Sequence, residues 1–380
     1  MPSAKRLRPL SSFLRTEAGG AVVLLGATVI ALLWANVHSG YENVWQRSLG
    51  PLDLRHWLND GLMTLFFLVV GLEIKRELVE GELRDPRVAV LPLLAALAGL
   101  SLPAVIYLAF NAGGPGAAGW GIPVATDIAF AVGVLALLGR RVPAGLKVLL
   151  LTIAVADDIG AVIIIAIAYS DGIDPRWLAA VAGVSLLVAA TWRITSSPWL
   201  HVPLGVAIWA LMLASGVHAT IAGVVLGLLT PAPQTVVLQN RLHPLSSYLV
   251  LPLFALGNAG VALDLVSLRA AASSEVSIGI VAGLLLGKTL GIGLTGALTA
   301  RTRLGRLPLG LAPRHVLAMA PLGGIGFTVA LFIAGLTFDD GPELHVAKVG
   351  VLAGSLLSAV VGSALLLSSP GRPTRAASSR

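Results

Sequence analysis

The sequence has no cysteine and few charged residues, and both absences narrow the class of protein. Without cysteine there can be no disulfides, thiolate metal ligands or cysteine nucleophiles. Charged residues make up 12% of the 380 residues, against about 25% in an ordinary soluble domain. Hydrophobic residues make up 56%, and the mean hydropathy is +0.88. Such a chain cannot cover a globular surface with polar side chains, so we predict that its outer surface faces lipid.

Long apolar runs recur along the whole chain and predict an all-α polytopic membrane protein. A bilayer core of about 30 Å requires roughly 20 apolar residues in a helix. We predict about twelve transmembrane helices in one transporter domain, 1–380, with cytoplasmic tails at 1–18 and 368–380. The basic N-terminus leads into the first run without a cleavage pattern, which favours a retained span over a signal peptide. The predicted spans are 19–37, 58–74, 89–110, 121–138, 145–169, 177–192, 200–215, 217–230, 246–263, 277–298, 315–336 and 345–367.

Basic residues fall mainly in alternate connections between the apolar runs. The net charge is +7, but its spread over short connections is that of a membrane protein rather than of a nucleic-acid binder. Of the 26 Lys and Arg, 20 lie on one predicted side, so the positive-inside rule places both termini in the cytoplasm. The predicted outer connections hold the remainder, apart from one lysine inside a span: Arg47, Arg55, Arg176, Arg269 and Lys348.

Ionisable side chains also lie inside the apolar runs, where they are costly. An ionised group at the centre of a membrane helix costs at least about 2.5–3.5 kcal/mol on insertion scales, so such groups pair or line a cavity. A structural salt bridge between helices would explain one Asp–Lys pair. The excess of acid over a single lysine favours an ion or proton path instead. The residues are Asp60, Asp127, Asp157, Asp158 and Lys288.

Asp157 and Asp158 are neighbours in the fifth span, and adjacent residues of an α-helix point about 100° apart. One carboxylate can therefore face a neighbouring helix while the other faces a cavity. Lys288, in the tenth span, is the basic candidate to pair with one of them. It lies beside a stripe of small residues that we interpret as a helix-packing surface. The stripe comprises Gly279, Gly283, Gly287, Gly291 and Thr295.

Two predicted spans carry helix-breaking residues in their middles. Proline removes a backbone donor, and glycine costs about 1 kcal/mol relative to alanine in a helix. Spans three to five and ten to twelve are matching triplets, each interrupted in its middle member, and this pattern points to the binding site of a transporter. The fourth span has Pro123 shortly before Thr126 and Asp127. The eleventh span has Pro321, Gly323, Gly324 and Gly326.

The polar groups near these interruptions predict the chemistry of the site. Unwound backbone supplies carbonyl oxygens, and Asp127 and Lys288 could offset the partial charges of half-helix ends. Carboxylates, a threonine hydroxyl and carbonyls suit a hard cation, whereas a transition metal would call for thiolates or paired histidines. His218 is a lone membrane histidine, which we interpret as a hydrogen-bonded structural residue in preference to a proton carrier.

Eight segments in order along nearly the whole chain resemble the NhaA family of bacterial sodium/proton antiporters. The resemblance implies twelve spans with inverted-topology repeats, in which interrupted spans four and eleven cross at mid-membrane. The segments are WLNDGLM (57–63), FFLVVGLEIKREL (66–78), IPVATDIAFAVGVLALLG (122–139), ADDIGAVIIIA (156–166), SGVHATIAGV (215–224), LPLFALGNAGV (251–261), GKTLGI (287–292) and GGIGFT (323–328).

The same resemblance implies a function and assigns roles to residues. It implies electrogenic export of Na⁺ or Li⁺ by alternating access, with more protons than sodium ions per cycle, in the bacterial inner membrane. This activity would serve Na⁺ and pH homeostasis and needs no cofactor beyond the transported ions. The ion site corresponds to Thr126, Asp127 and Asp158, and the lysine–aspartate pair to Lys288 and Asp157. No enzymatic activity is implied.

Two segments depart from the family pattern. Members with strong pH activation carry acidic, basic and histidine residues before the ninth span, whereas this chain has Gln239 and Asn240 there and retains His243. We therefore do not predict steep pH gating. The loop after the first span is short for the family's dimer-forming β-hairpin, so we expect a weak homodimer. The other half of the cytoplasmic mouth is intact: Glu73, Lys75, Arg76 and Glu77.

Two other functions use some of the same features. An intramembrane aspartyl protease also needs two membrane aspartates, but it needs no buried lysine, and its GxGD pattern is absent from the sequence. A transporter of the same architecture could instead carry an organic anion or a different cation, and an ion-selectivity assay separates that case. Asp60, near the outer end of the second span, receives only a structural interpretation.

Overall fold

The computed structural model describes residues 4–170, 172–302, 307, 311–338 and 341–368. Helices make up nearly all of this part of the chain, which confirms the all-α class. The predicted C-terminal tail lies outside the described residues except for Ser368. At the other end, α1 begins at Ala4, and residues 10–18 hold no glycine or proline that would stop the helix before the predicted span. Part of the predicted N-terminal tail is therefore helical.

The elements divide into α-helices, short 3₁₀ and π segments, and one small hairpin. The α-helices of the first half are α1 (Ala4–Val37), α2 (Tyr41–Trp45), α3 (Leu54–His56), α4 (Met63–Val79), α5 (Pro86–Asn111), α6 (Ile128–Leu137), α7 (Ala144–Ala168), α8 (Pro175–Thr191) and α9 (Pro198–Ser215). Those of the second half are α10 (Ile221–Leu229), α11 (Ala232–Leu245), α12 (Leu251–Asn258), α13 (Leu265–Ser273), α14 (Glu275–Ala282), α15 (Lys288–Arg301), α16 (Pro313–Met319), α17 (Phe327–Thr337) and α18 (Pro342–Ser368). The 3₁₀ segments are Glu82–Arg84, Ala117–Val124, Gly139–Arg141 and Ala320–Gly324, and the π segments are Trp57–Leu62, Ser246–Val250 and Gly283–Gly287.

Helix lengths support a polytopic membrane protein without confirming the predicted number of spans. Seven of the described helical segments are long and apolar enough to cross a bilayer, or eight if the bent pair Pro313–Gly324 and Phe327–Thr337 is one span. Helix α10 has nine residues, which is about 14 Å at 1.5 Å per residue and less than half of a bilayer core. The figure of twelve spans stays a prediction.

The stripe of glycines is a packing surface, as predicted. A Cβ atom on Gly287 would lie 2.7 Å from the Cα of Pro103, and one on Gly291 would lie 2.4 Å from the carbonyl oxygen of Ala98. Both obstacles are backbone atoms of α5, so no side chain fits between the two helices. This close approach holds α15, and with it the fully buried Lys288, against α5.

A small antiparallel hairpin follows α2. Strand β1 (Ser48–Leu49) pairs with β2 (Leu52–Asp53), with Ser48 opposite Asp53, and Gly50 in the turn has a φ of +70°. Each strand has two residues, in agreement with the shortness of the loop. An edge this short exposes few unpaired backbone groups to which a second chain could add.

Candidate ion-binding site

Both predicted interruptions are present as breaks in helical geometry. In the fourth span, the 3₁₀ segment containing Pro123 ends at Val124, and α6 begins after Asp127. In the eleventh span, the 3₁₀ segment Ala320–Gly324 ends just before Ile325, and the chain bends by 43° before α17. Backbone groups at each break have left the helical ladder, so they need partners elsewhere.

The two breaks supply these partners to each other. The backbone N–H of Asp127 donates to the carbonyl oxygen of Ile325 at 2.6 Å, and the Thr126 hydroxyl donates to that of Gly323 at 2.7 Å. Gly324 permits a further close approach, because a Cβ atom there would lie 2.1 Å from the carbonyl oxygen of Leu284. The breaks therefore form one continuous polar contact inside an apolar protein.

The buried carboxylate of Asp127 lies between the N-termini of two helices. One oxygen accepts a hydrogen bond from the backbone N–H of Phe130 at 3.0 Å, in the first turn of α6. The other oxygen accepts from the backbone N–H of Thr328 at 3.0 Å and from its hydroxyl at 2.6 Å, at the start of α17. Because helix N-termini carry partial positive charge, this position stabilises the ionised carboxylate. This is the placement at helix ends that the sequence led us to expect.

Asp157 and Asp158, on α7, face different surroundings, as their 100° offset predicts. The Asp157 carboxylate accepts a hydrogen bond from the Lys288 ammonium at 2.5 Å, and both side chains are almost fully buried. Asp158 is turned to a cavity instead, and within the described part of the chain its carboxylate has no hydrogen-bond donor. Of the two neighbours, Asp158 is thus the carboxylate open to a ligand.

The segment before Lys288 has unusual helical geometry. Residues 283–287 form a π-helical turn, which inserts extra chain into the helix and changes the direction of the residues that follow. Such turns are rare and recur at functional sites. Here the π turn ends where α15 begins, at the lysine that pairs with Asp157.

A cavity of about 40 Å³ lies beside the ion-site residues. This volume holds about three water molecules. Its walls include Thr126, Asp127, Asp158 and Thr328, and also Glu17, Glu73 and His243. The described residues contain no cluster of three or more His, Asp or Glu side chains arranged to hold a metal ion. A cation here would therefore use hydroxyl and carbonyl oxygens and water beside the carboxylates.

The residues predicted for the cytoplasmic mouth separate into two groups. Glu73 and His243 line the cavity, whereas Lys75, Arg76 and Glu77 form hydrogen bonds to neighbouring elements. Lys75 donates to the carbonyl oxygen of Leu228 at 3.0 Å, and Arg76 to the side chain of Gln239 at 3.3 Å. Glu77 accepts from the backbone N–H of Glu82 at 2.8 Å, and Asn240 is exposed.

His243 is paired with a carboxylate that the sequence analysis placed in a tail. Its Nε2 atom contacts an oxygen of Glu17, which is buried in α1. Burial by itself would lower the pKa of His243, but the hydrogen bond and negative charge of Glu17 outweigh it and raise the pKa above its usual value. His243 therefore stays protonated to a higher pH than a free histidine does.

Asp60 and His218 lie together, away from the cavity. The His218 Nε2 atom is 3.6 Å from an Asp60 oxygen, and its Nδ1 atom is 2.9 Å from the Thr220 hydroxyl. The indole N–H of Trp209 donates to the carbonyl oxygen of Asp60 at 3.0 Å, within a π segment that runs from Trp57 to Leu62. His218 is hydrogen-bonded, its structural role stays a prediction, and Asp60 lies apart from the other three membrane aspartates.

Two residues of the site escaped the sequence analysis. Thr328 ends the GGIGFT segment, and its position in the first turn after a glycine run was a usable sign of a donor at a helix N-terminus. Glu17 lay at the border of a predicted tail, and the absence of glycine and proline from residues 10–16 was the available sign that α1 starts earlier.

A buried Asp–Lys pair, a carboxylate facing a water-sized cavity and two interrupted helices in contact define a multi-pass membrane carrier for a small cation. Residues 11–366 match the family model described as Na⁺/H⁺ antiporter 1. The chain belongs to this family of Na⁺/H⁺ antiporters.

Relatives of the chain are similar over nearly their whole length. The chain is 44% identical to the Na(+)/H(+) antiporter NhaA 2 of Sorangium cellulosum, over 94% of this chain and 89% of that protein. It is 40% identical to the Na(+)/H(+) antiporter NhaA 1 of Clostridium beijerinckii, over 94% of both proteins. It is 43% identical to the Na(+)/H(+) antiporter NhaA of an Escherichia coli strain, over 94% of this chain and 97% of that protein.

Proposed function

We propose that the protein exports Na⁺ or Li⁺ from the cell in exchange for protons, and that the two ions compete for the Asp158 carboxylate. One observation carries the assignment: Asp158 faces the cavity without a hydrogen-bond donor among the described residues, whereas Asp157 and Asp127 are engaged. A carboxylate with free oxygens can hold either a proton or a hard cation, but not both at once. Such mutual exclusion couples the two fluxes.

The remaining oxygen ligands would come from the first interruption. The Thr126 hydroxyl donates a hydrogen bond to the carbonyl oxygen of Gly323, which leaves its oxygen lone pairs free to coordinate a cation. Asp127 lines the same cavity and adds a negative charge beside Asp158. These three residues make an all-oxygen site of the kind that hard cations prefer.

Alternating access would operate through the interrupted helices. Four half-helices meet at the contact between the breaks, so a small movement of one half can change which side of the protein the Asp158 carboxylate faces. On the inner side Na⁺ displaces the proton, and on the outer side the proton gradient reloads the carboxylate. Export is electrogenic if a second carboxylate near the site changes protonation in the same cycle.

We place the protein in the bacterial inner membrane with both termini in the cytoplasm, on the evidence of the basic connections. Because the chain lacks cysteine, single cysteines at Arg84 and Arg176 give a clean test with an impermeant thiol reagent. Labelling from outside intact cells should occur at position 176 and not at position 84. We also propose a homodimer, with a weak contact at the short hairpin.

The decisive experiment measures ion-driven collapse of a pH gradient in proteoliposomes. The wild-type protein should respond to Na⁺ and Li⁺ and not to K⁺, and Asp158→Asn should abolish the response. Asp264→Asn is a matched control, because Asp264 is exposed and an amide oxygen still accepts the hydrogen bonds at the start of α13. An equal response to K⁺, or an Asp158→Asn variant as active as the wild type, would contradict the proposal.

A further inference from the structure

The π turn before Lys288 packs against both interruptions. Its first residue, Gly283, lies against the first break, because a Cβ atom on Gly283 would lie 2.7 Å from the Cβ atom of Pro123. The same π segment, Gly283–Gly287, also contacts the 3₁₀ segment Ala320–Gly324 of the second break. Three segments of irregular helix, from the predicted spans four, ten and eleven, therefore meet at one place. The ion site described above uses only two of them.

Leu284 is the residue of the π turn that lies between the other two segments. Its side chain is fully buried, and one methyl group lies against Gly326, since a Cβ atom there would be 2.9 Å from Leu284 Cδ2. That Cβ position is also 3.0 Å from the carbonyl oxygen of Ala125, the residue before Thr126. The other methyl group lies against α18, because a Cβ atom on Gly354 would be 2.9 Å from Leu284 Cδ1. Leu284 therefore adjoins both breaks and α18.

We propose that Leu284 is a positioning residue for Na⁺/H⁺ exchange, which holds the two breaks at the separation at which the Thr126 oxygen can bind the cation. This inference rests on the proposed function, which takes Thr126 as a ligand. Protein interiors are close-packed, so a side chain that fills the space between two backbone segments sets their separation. The Thr126 hydroxyl bonds to Gly323 across the breaks, so a change in that separation moves the ligand oxygen.

The place of Leu284 in the chain also joins the breaks to the buried ion pair. Leu284 precedes Lys288 by four residues, which is about one helical turn. Lys288 in turn bonds to Asp157, the neighbour of Asp158 on α7. One short segment therefore connects the lysine–aspartate pair with the contact between the breaks. Loss of the Leu284 side chain should disturb the ion site although it removes no charge and no oxygen ligand.

Leu284→Ala tests the proposal. In the pH-gradient assay, the Na⁺ concentration for half-maximal exchange should rise about 3- to 10-fold, within the range by which packing residues modulate a site they do not touch. Ile208→Ala is the matched control, because Ile208 is also fully buried and lies on α9, which packs against α8 and α10. Both variants should melt below the wild type, since each leaves a cavity. Only Leu284→Ala should change the half-maximal Na⁺ concentration.

Two milder variants decide the same question if Leu284→Ala does not fold. Methionine nearly conserves the volume, so Leu284→Met should keep the wild-type half-maximal Na⁺ concentration. Valine is one carbon shorter, so Leu284→Val should raise that concentration about 2- to 4-fold. A wild-type value in Leu284→Val, or in a folded Leu284→Ala, would overturn the inference. An equal rise in Leu284→Ala and Ile208→Ala would overturn it as well, because Na⁺ affinity would then follow stability alone.

A double-mutant cycle with Thr126→Ala shows whether Leu284 acts through the cation ligand. If Leu284 positions the Thr126 oxygen, its truncation matters less once that oxygen is absent, so the combined effect on Na⁺ affinity should be smaller than the product of the single effects. Ile208→Ala should combine with Thr126→Ala as a simple product. A simple product for Leu284→Ala too would refute this inference alone. Exchange that persists in Asp158→Asn would instead refute the proposed function.

Discussion

The two interruptions occupy matching places in the chain but contribute different chemistry. The break before α6 carries a hydroxyl and a carboxylate, on Thr126 and Asp127. The break before α17 carries glycines and offers mainly backbone groups, among them the carbonyl oxygens of Gly323 and Ile325. The two breaks are therefore alike in backbone geometry but differ in charge.

Sterics and electrostatics both favour this division. The second break approaches other backbone so closely that a Cβ atom on Gly324 would collide with the carbonyl oxygen of Leu284. Acidic side chains at both breaks would also place like charges side by side in an apolar interior, and each would disfavour ionisation of the other. One break supplies the acid, and the other supplies small residues and donors that accommodate it.

Asp127→Ala should have the largest effect, because Asp127 serves both breaks. The change leaves three donors without acceptors, on Phe130 and Thr328. Each buried unpaired group costs about 1–3 kcal/mol, so the free energy of unfolding should fall by about 3 kcal/mol or more. Na⁺/H⁺ exchange should also be lost. Asp127→Asn keeps one acceptor and should melt higher than Asp127→Ala. Thermal unfolding in detergent measures these melting temperatures. If Asp127→Ala melts at the same temperature as the wild type, the carboxylate does not hold the breaks together.

Gly324→Ala tests the second break, where the missing side chain is the feature that matters. The new methyl group would meet a backbone oxygen that cannot rotate away, so we expect about 2–3 kcal/mol of destabilisation and reduced exchange. Gly335→Ala, on α17, is the control, because nothing lies within 4 Å of its Cβ position. That substitution should change the melting temperature little. Equal effects at the two positions would remove the steric argument for the break.

Thr328→Val probes the link between the breaks more gently. It removes the hydroxyl donor to Asp127 and keeps the backbone N–H donor. Because the acceptor is charged, the free energy of unfolding should fall by about 1.5 kcal/mol. Thr28→Val is the control, since the buried Thr28 hydroxyl donates to the carbonyl oxygen of Leu24 within α1 and to no other described residue. The difference between the two melting temperatures measures the bond across the breaks. If the two melting temperatures do not differ, the second break binds Asp127 through its backbone N–H alone.

Ser355→Ala should have the smallest effect. The Ser355 hydroxyl, on α18, accepts a hydrogen bond from the backbone N–H of Phe327 at 3.1 Å and so caps α17 from outside. Loss of a helix cap costs about 1 kcal/mol. The buried hydroxyl of Ser358, one turn further along α18, has no partner in the described structure, so Ser358→Ala should be neutral or slightly stabilising. If Ser358→Ala costs more than Ser355→Ala, the capping role is wrong.

Periodic and local features of the site were predictable from sequence because they depend only on helix geometry. The different orientations of Asp157 and Asp158 follow from 3.6 residues per turn, and the glycine stripe follows from spacing at every fourth residue. The position of each interruption was equally local, since Pro123 and the glycines near 324 disfavour a helix wherever they lie.

Features that join distant segments were not predictable in the same way. Nothing in the order of residues says that the Asp127 carboxylate accepts hydrogen bonds from Thr328, 201 positions away. The burial of Glu17 and its contact with His243 likewise depend on how α1 packs against the segment that precedes α12. The residues of the predicted cytoplasmic mouth were likewise separated by tertiary packing: Glu73 lines the cavity, and Arg76 bonds to Gln239 on α11.

Composition, apolar runs and membrane acids were enough to define a polytopic cation carrier, because the cost of burying charge in lipid is a property of each residue type. Which acid meets the lysine, which one faces the cavity and which one bridges the breaks depended on tertiary packing. Those assignments are set by distances of 2.5–3 Å between helices far apart in the chain, and short-range preferences do not encode them. Glu17 shows the difference most clearly, as a residue of an expected tail that packing turned into part of the cavity wall.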